Sequence, residues 1–285
     1  MSAPVVAAGA QLRPVQWADN RGTAIAFQVM GDHGPWLVMV HGLGYGRLGW
    51  GPIAPLLAAG RRLVLVDNRG IGRSDRPPGP YSVEDMAGDV LAVLDHLQLE
   101  SADLVGASLG GMVTLQVAAS RPGRVQRMVL MAATAGEPQG TALPAGTAAL
   151  LAGHVRRTAE TPRRLIEGAL APSTVRARPQ LVQDLLALRE QEPQHPEGWK
   201  AQAAASAGFA LRVPLGRLDV PTLAVAGVDD AVIDPVNTMR LAFGLPRARA
   251  LYVAPAGHLC FWEEPALLAS HIDDFLGPGR SPNLS

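Results

Sequence analysis

The sequence is poor in two residue types that carry much of protein chemistry. Its 285 residues include one cysteine, Cys260, and one lysine, Lys200. A single cysteine excludes an internal disulfide and any zinc or iron–sulfur site built from several cysteines. A single lysine leaves Schiff-base chemistry and phosphate-binding lysine loops to Lys200 alone. Most thiolate-metal and lysine-based mechanisms are therefore excluded before any motif is considered.

An excess of charge of one sign is also missing, because 25 Lys and Arg residues balance 25 Asp and Glu residues. Such a chain has no broad electrostatic attraction to nucleic acid or to an anionic membrane. No apolar run approaches the roughly 20 residues that cross a bilayer, and the first 14 residues lack the pattern of a signal peptide. We expect a cytoplasmic protein without nucleic-acid or membrane partners. The sequence carries no pattern that indicates an oligomeric state.

What is present is a repeated alternation of apolar runs and helical patterns. Hydrophobic residues make up 48% of the chain, which is enough for a large core. One helical pattern, residues 82–97, begins with Ser82 and Asp85 in an approximate capping box. The alternation predicts an α/β fold with a mostly parallel β-sheet of about eight strands flanked by helices. The runs typical of strands are residues 23–30, 36–40, 62–67, 102–106, 125–131, 222–227 and 250–253.

The alternation stops once, between about residues 136 and 216, where helical pieces are punctuated by prolines. Insertions at the carboxyl edge of a parallel sheet lie over the place where such sheets bind ligands. We interpret the segment as a helical cap inserted after the sixth strand, although an ordinary surface elaboration has the same pattern. The predicted organisation is a flexible N-terminal arm (1–14), an α/β core (15–135 and 217–278), the cap (136–216) and a flexible tail (279–285).

The five residues 106–110, Gly-Ala-Ser-Leu-Gly, match the G-x-S-x-G nucleophile elbow. In that motif a sharp strand-to-helix turn presents a serine hydroxyl above the sheet. An apolar run precedes the motif and a helical pattern follows it, and small residues suit a tight turn. The pattern predicts Ser108 as a nucleophile, with a helix-capping serine as the alternative.

A serine nucleophile needs a base and an acid that orients the base. His258 follows a predicted strand and precedes the last helical pattern, which fits the chain order nucleophile, acid, base. For the acid we favour Asp230, three residues past the end of a strand, and keep Asp229 in reserve. Asp234 precedes a proline and is interpreted as a helix N-cap.

A glycine-rich loop, His41-Gly42-Leu43-Gly44, directly follows the strand 36–40. Acyl transfer needs donors aimed at the developing oxyanion, and backbone amides of such loops suit this role. We assign the oxyanion hole to the amides of Leu43 and Leu109. The residues predicted to line a substrate pocket are Gly42, Met112, Trp199 and Phe261. Arginines of the cap that could bind a substrate carboxylate are those at 156, 157, 163, 164, 176, 178 and 189.

A second motif points to another class of protein. The glycines Gly44, Gly46 and Gly49 spell G-x-G-x-x-G after a strand, with Asp67 at the end of the next strand. This pattern occurs in dinucleotide-binding oxidoreductases. It is disfavoured here because Pro52 belongs at a helix start, which places the helix beyond the glycines.

Taken together, several motifs resemble the α/β-hydrolase superfamily, and most closely its capped serine esterases and lactonases, such as 3-oxoadipate enol-lactonase. They are the loop 41–44, the segment 67–75, the elbow 106–110, residues 227–230, and Gly257-His258 with Glu263 and Pro265 behind it. The resemblance implies an acyl-enzyme on Ser108 and no cofactor or metal. Serine at the elbow departs from the superfamily's haloalkane dehalogenases and epoxide hydrolases, which have aspartate there.

The predicted function is hydrolysis of a carboxylic ester or lactone of a small, largely apolar molecule. The same arrangement of residues serves thioesterases, C–C bond hydrolases, cofactor-free perhydrolases and some lyases, so these reactions stay open as alternatives. A non-catalytic binding protein on the same fold is a further alternative, since fold does not determine function.

Overall fold

In the computed structural model, which describes residues 12–153, 158–192 and 194–277, eight strands form one sheet. The strands are β1 (Gln16–Asn20), β2 (Thr23–Met30), β3 (Trp36–Val40), β4 (Arg62–Val66), β5 (Ala102–Ala107), β6 (Val125–Met131), β7 (Thr222–Gly227) and β8 (Ala248–Val253). Their order is β1-β2-β4-β3-β5-β6-β7-β8. The last six are mutually parallel, whereas β1 and β2 run antiparallel to their neighbours. The predicted mostly parallel sheet is confirmed.

Helices cover both faces of this sheet. Those in the described part of the chain are α1 (Ile53–Ala58), α2 (Val83–His96), α3 (Leu109–Ser120), α4 (Ala145–Leu151), α5 (Thr161–Ala169), α6 (Pro172–Ala177), α7 (Pro179–Gln191), α8 (Pro196–Ala207), α9 (Val236–Gly244), α10 (Cys260–Glu263) and α11 (Pro265–Leu276). Side chains of α2 and α3 join one hydrophobic cluster, and those of α1 and α11 join a second one.

Strand β3 shows why the central strands have no polar face. Leu37, Val38, Met39 and Val40 are all fully buried. Side chains alternate across a strand, so Val38 and Val40 enter the cluster with α2 and α3, whereas Leu37 and Met39 enter the cluster with α1 and α11. A continuous apolar run is therefore the expected pattern for a strand between two layers of helices.

Helix α2 begins where its capping residues predict. The hydroxyl of Ser82 accepts a hydrogen bond from the Asp85 amide at 3.0 Å, and the Asp85 carboxylate accepts one from the Ser82 amide at 2.9 Å. This reciprocal pair satisfies two amide groups that the first turn of a helix leaves without partners. The helix predicted over 82–97 is confirmed as Val83–His96.

Strand β1 has no counterpart among the predicted strands. It is a half-exposed edge strand in which Trp17 is 48% exposed, so it lacks the apolar run that marked the other strands. Just before it, Leu12 forms an antiparallel bridge with Met30, and the Arg13 amide donates to the Val29 carbonyl at 2.9 Å. The rest of the predicted arm, apart from Pro14, lies outside the described residues, as does the predicted tail.

Five helices of the described chain, α4–α8, lie between β6 and β7. This is the position predicted for the helical cap, and we call residues 145–207 the helical insert. Hydrogen bonds join the insert to the loop after β3 and to α10. Among the described residues, no helix is both long enough and apolar enough to cross a membrane.

Candidate active site

Ser108 lies at the turn between β5 and α3 with a backbone conformation that L-residues rarely adopt. Its φ is 55° and its ψ is −120°. A β-carbon on Gly110 would collide with the Val40 carbonyl, and one on Gly106 would collide with the Gly110 carbonyl. The glycines therefore allow the helix start to approach the strands closely, and this packing holds Ser108 in its strained position. The geometry is that of a nucleophile elbow.

Asp230 and His258 form a buried pair beyond the ends of β7 and β8. The Nδ1 atom of His258 lies 2.9 Å from Oδ2 of Asp230, whose side chain is fully buried. The other carboxylate oxygen accepts hydrogen bonds from the amides of Val232 and Ile233 at 2.8 and 3.0 Å. A carboxylate held in this way can orient the imidazole and stabilise its protonated form.

The two other carboxylates of this loop, Asp229 and Asp234, do not bind His258. Asp229 is exposed. The carboxylate of Asp234 accepts a hydrogen bond from the Val236 amide at 2.9 Å at the start of α9, as expected for a capping residue. Of the three candidates, Asp230 alone reaches His258.

Ser108 and His258 face one cavity, where both line the wall. Within the described chain their side chains form no hydrogen bond with each other. Hydrogen bonds between a nucleophile and its base are commonly loose without substrate. The arrangement places a hydroxyl and an oriented imidazole in the same space.

The amides of Leu43 and Leu109 lie in the loop after β3 and at the first position of α3. Neither amide has a hydrogen-bond acceptor among the residues that the structure describes. The first amides of a helix have no partner inside the helix, which suits them to bind an anion. Both groups remain able to donate to an oxyanion.

The side chain of His41 holds the loop after β3 by hydrogen bonds to two of its backbone groups. The sequence analysis did not assign this role to it. Its Nδ1 atom accepts a hydrogen bond from the Gly42 amide at 2.7 Å, and its Nε2 atom lies 3.1 Å from the Gly49 carbonyl. These partners require a neutral ring with the proton on Nε2. Burial, assisted by the nearby charges of His258 and Arg189, lowers the pKa of His41 from 6.5 to about 3. Its ring contacts the rings of Tyr45, Trp50 and Phe261, and the contact with Phe261, far away in the chain, leaves no signal in the sequence.

The cavity has a volume of about 330 Å³, which fits a small molecule. Gly42, Trp199 and Phe261 lie in its wall, as predicted for pocket residues. Met112 does not line this cavity; it is 1% exposed, packs in the hydrophobic cluster that includes α3, and its sulfur lies 3.8 Å from the Ser206 hydroxyl of α8. Further apolar wall residues come from the insert and from the loops, namely Leu43, Leu143, Leu150, Leu151, Leu165, Val232, Ile233 and Leu259.

Arg189 brings a positive charge to the cavity wall. Its Nε donates to the hydroxyl of Tyr45 at 3.0 Å, and its guanidinium lies 4.7 Å from the centre of the Tyr45 ring. No carboxylate of the described residues pairs with it. Arg163, Arg164 and Arg178 each pair with a glutamate, and Arg176 is exposed. The candidates at 156 and 157 lie outside the described residues.

Glu263 ties the loop of His258 to the insert. Its two carboxylate oxygens accept hydrogen bonds from the amides of Gly257 at 2.6 Å and Ala171 at 3.0 Å. The residue is 1% exposed. A buried carboxylate is stable only with such partners, so Glu263 couples the position of His258 to the junction between α5 and α6.

Cys260, two residues past His258, is fully buried. Burial and the nearby carboxylates of Asp230 and Glu263 raise the pKa of its thiol far above the ordinary value. A thiol held neutral and covered is a poor nucleophile. Its burial is that of a packing residue.

The glycines of the dinucleotide-binding alternative are arranged differently from that motif. A 3₁₀ helix, Arg47–Trp50, interrupts them, and α1 begins only at Ile53. The carboxylate of Asp67 is already occupied by the side chain and amide of Arg47, each at 2.6 Å. Among the described residues, the α-helix that follows begins beyond the glycines, and the acid is not available to a ribose. The geometry therefore does not support dinucleotide binding.

Comparisons with known proteins show the family and the fold of the chain. A model of the alpha/beta hydrolase fold family matches residues 35–265. A 2-hydroxy-6-oxononadienedioate/2-hydroxy-6-oxononatrienedioate hydrolase of Cupriavidus pinatubonensis is 32% identical over 254 residues, covering 85% of this chain and 86% of that protein. The solved esterase RhEst1 from Rhodococcus sp. is 28% identical with a TM-score of 0.80, covering 92% and 98% of the two chains. The enol-lactonase from Burkholderia xenovorans, 24% identical with a TM-score of 0.80 over 92% and 99% of the chains, shares the fold.

Proposed function

The chain belongs to the α/β-hydrolase superfamily, and from its candidate site we propose that it hydrolyses carboxylic esters or lactones of small, largely apolar molecules through an acyl-enzyme on Ser108. Hydrolase activity itself follows from the family and its relatives. The observation that carries the ester proposal is the buried Asp230–His258 pair beside Ser108. The amides of Leu43 and Leu109, which have no acceptor among the described residues, support it.

In the first half of the proposed reaction, His258 accepts the proton of Ser108 as the hydroxyl oxygen attacks the substrate carbonyl. The bound Asp230 stabilises the imidazolium that forms. The amides of Leu43 and Leu109 donate to the oxyanion of the tetrahedral intermediate. His258 then gives its proton to the leaving alkoxide as the acyl–oxygen bond breaks, which leaves the acyl group on Ser108.

In the second half, His258 takes a proton from water while the water oxygen attacks the acyl-enzyme carbonyl. The same two amides hold the second oxyanion. Collapse of this intermediate breaks the bond to Ser108, and the serine oxygen recovers its proton from His258. A lactone passes through the same steps, except that the alcohol and the acid remain in one product molecule.

The test is a panel of p-nitrophenyl esters of short and long acids, lactones, thioesters and vinylogous diketones. We expect ester or lactone turnover by the wild type and a loss of about 10⁴- to 10⁶-fold in kcat for Ser108→Ala. A p-nitrophenyl phosphonate should label Ser108, as measured by intact mass. Ester turnover that survives in a folded Ser108→Ala variant, or a wild type inert to both esters and phosphonate, would overturn the proposal.

A second candidate function is hydrolysis of a C–C bond in a substrate that carries a carboxylate. Arg189 favours it, because a guanidinium in the cavity wall without a carboxylate partner in the described chain suits a substrate anion. The Cupriavidus relative is named for a dioate substrate. A charge-assisted hydrogen bond contributes about 1.5–3 kcal/mol.

Arg189→Gln distinguishes the two functions. If the substrate is anionic, KM for a carboxylated diketone should rise about 10- to 100-fold, whereas KM for an uncharged ester should change little. Faster turnover of carboxylated diketones than of any ester would replace the ester proposal by the C–C proposal. Equal KM changes for charged and uncharged substrates would mean that Arg189 shapes the cavity only.

A further inference from the structure

The loop after β3 presents three successive amides with different partners. The Gly42 amide donates to Nδ1 of His41 at 2.7 Å, and the Gly44 amide donates to Oε1 of Gln202 at 3.1 Å. Between them, the Leu43 amide has no acceptor among the described residues. The amides of Gly42 and Gly44 are therefore bound by side chains, and the Leu43 amide between them is left to donate to an oxyanion.

The helical insert supplies the partners of Gly44. Gln202, on α8, is 1% exposed, and its Nε2 atom donates to the Arg69 carbonyl at 2.8 Å. Gln194, just before α8, donates from Nε2 to the Gly44 carbonyl at 2.6 Å. Both peptide groups that flank the α-carbon of Gly44 are thus held by glutamines of the insert.

The conformation of Gly44 makes this support necessary. Its φ is +74°, in the left-handed region that favours glycine, and a β-carbon there would lie 2.5 Å from Nε2 of Gln194. Glycine has more conformational freedom than any other residue. A glycine beside an oxyanion donor can change its backbone conformation easily, so the donor keeps a fixed direction only where other groups hold the glycine in place.

We infer that Gln194 and Gln202 are positioning residues that fix Gly44 and thereby aim the Leu43 amide, so that the helical insert completes the oxyanion hole. The inference rests on the proposed function, because it assigns the Leu43 amide to an oxyanion. Neither glutamine is placed to exchange protons with Ser108 or His258. Their effect belongs to the transition state, so it should alter kcat and leave KM nearly unchanged.

The experiment compares Gln202→Leu and Gln194→Ala with a control on the same insert. Gln180→Leu is the control, because Gln180 lies on α7 and bonds only to the exposed Asp184. Two readouts are measured for each protein, namely kcat and KM for a p-nitrophenyl ester, and the rate at which a p-nitrophenyl phosphonate labels Ser108. In that labelling, Ser108 displaces p-nitrophenolate from phosphorus, and the phosphoryl oxygen requires the same amides as an ester oxyanion.

We expect kcat and the labelling rate to fall together by about tenfold in each variant, less than the 10²- to 10³-fold loss of a whole donor, because the amide is displaced but not removed. KM should stay within about twofold, and Gln180→Leu should match the wild type. A thermal melt reports whether each variant is folded. If Gln202→Leu does not fold, Gln194→Ala decides the question, since Gln194 is only half-buried.

The outcomes separate this inference from the function on which it rests. An active wild type whose folded glutamine variants keep kcat and the labelling rate would overturn the inference alone. Variants that raise KM without lowering kcat would also overturn it, because the glutamines would then shape the substrate pocket. A wild type that neither hydrolyses the panel nor reacts with the phosphonate would overturn the proposed function and the inference together.

Discussion

At the scale of single residues, two adjacent aspartates have opposite environments. Asp229 is exposed, whereas the side chain of Asp230 is fully buried and bonded to His258. The sequence favoured Asp230 from its distance past the end of the strand, but it left Asp229 as a possibility. Spacing alone cannot decide between neighbours, because the direction of each side chain depends on a turn that is stabilised by the amides of residues 232 and 233.

Asp230→Asn should lower kcat for ester hydrolysis by about 10⁴-fold, because an amide no longer holds the imidazole in the required tautomer. Asp229→Asn is the matched control and should stay within about twofold of the wild type. Steady-state kinetics on the best ester of the panel, with a thermal melt of each variant, makes the comparison. Loss of activity in the Asp229 variant alone would transfer the role to that residue.

Met112 shows a second limit of sequence interpretation at this scale. It was predicted to line the pocket, but it is buried in the hydrophobic cluster, where its sulfur contacts the Ser206 hydroxyl of α8. Nine of the 12 residues of α3 are buried, so the helix has no polar face that would tell one buried side from another. An apolar residue near a nucleophile can thus face a cavity or the core with the same sequence pattern.

At the scale of elements, apolar runs predicted seven of the strands, because the central strands lie between two layers of helices and the edge strand β8 still carries an apolar run at residues 250–253. The half-exposed strand β1 was not predicted, because an edge strand needs no continuous apolar run and this one has none. The interruption after β6 was readable for a similar reason, since the helices α4–α8 break the alternation. The predicted limits of the arm, core, cap and tail stay predictions.

Glu263→Gln tests the tether between the His258 loop and the insert. A glutamine has one acceptor oxygen, so either the Gly257 or the Ala171 amide would lose its partner. A buried donor without a partner costs about 1–3 kcal/mol, which for a chain of this length corresponds to a fall in Tm of roughly 2–5 °C. Calorimetry should show this fall in Tm, and steady-state kinetics should show a lower kcat. Glu264→Gln is the matched control. Glu264 forms an exposed ion pair with Arg178 at 3.6 Å, so its substitution should cost less than about 1 kcal/mol. An equal fall in Tm for the two variants would contradict the tether.

At the scale of the whole molecule, the contacts that we propose to position the Leu43 amide join residues far apart in the chain. Gln194 and Gln202 reach Gly44 across 150 and 158 residues. No periodicity or motif records such pairs, because a surface glutamine and a buried one look alike in a helical segment. Candidate reacting groups could be named from the sequence because the chemistry restricts their type and spacing. The groups that position them were not, because many side chains can hold a backbone amide.

The pH dependence of stability should report the buried His41. Its pKa of about 3 lies below the value of 6.5 expected for the unfolded chain, so the unfolded state takes up the proton first. The free energy of unfolding should therefore decrease as the pH falls from about 6.5 towards 3, by up to about 1.4 kcal/mol per pH unit from this group. His41→Asn should flatten that slope in urea unfolding measured at several pH values. The exposed His271→Asn control should retain the wild-type slope, and an unchanged slope in the His41 variant would contradict the assignment.

The crowding around Gly110 constrains which sequences this chain can explore under mutation. Any side chain at 110 would collide with the backbone carbonyls of Val40 and His41, pushing α3 away from β3 and separating the Leu109 amide from the Leu43 amide. Gly123, by contrast, has open space where a β-carbon would lie. In a saturation library selected for activity, we expect glycine alone to survive at position 110 and most residues to survive at position 123. The close approach of α3 to β3 thus links the two amides of the proposed oxyanion hole, so a mutation that shifts either element changes the distance between them.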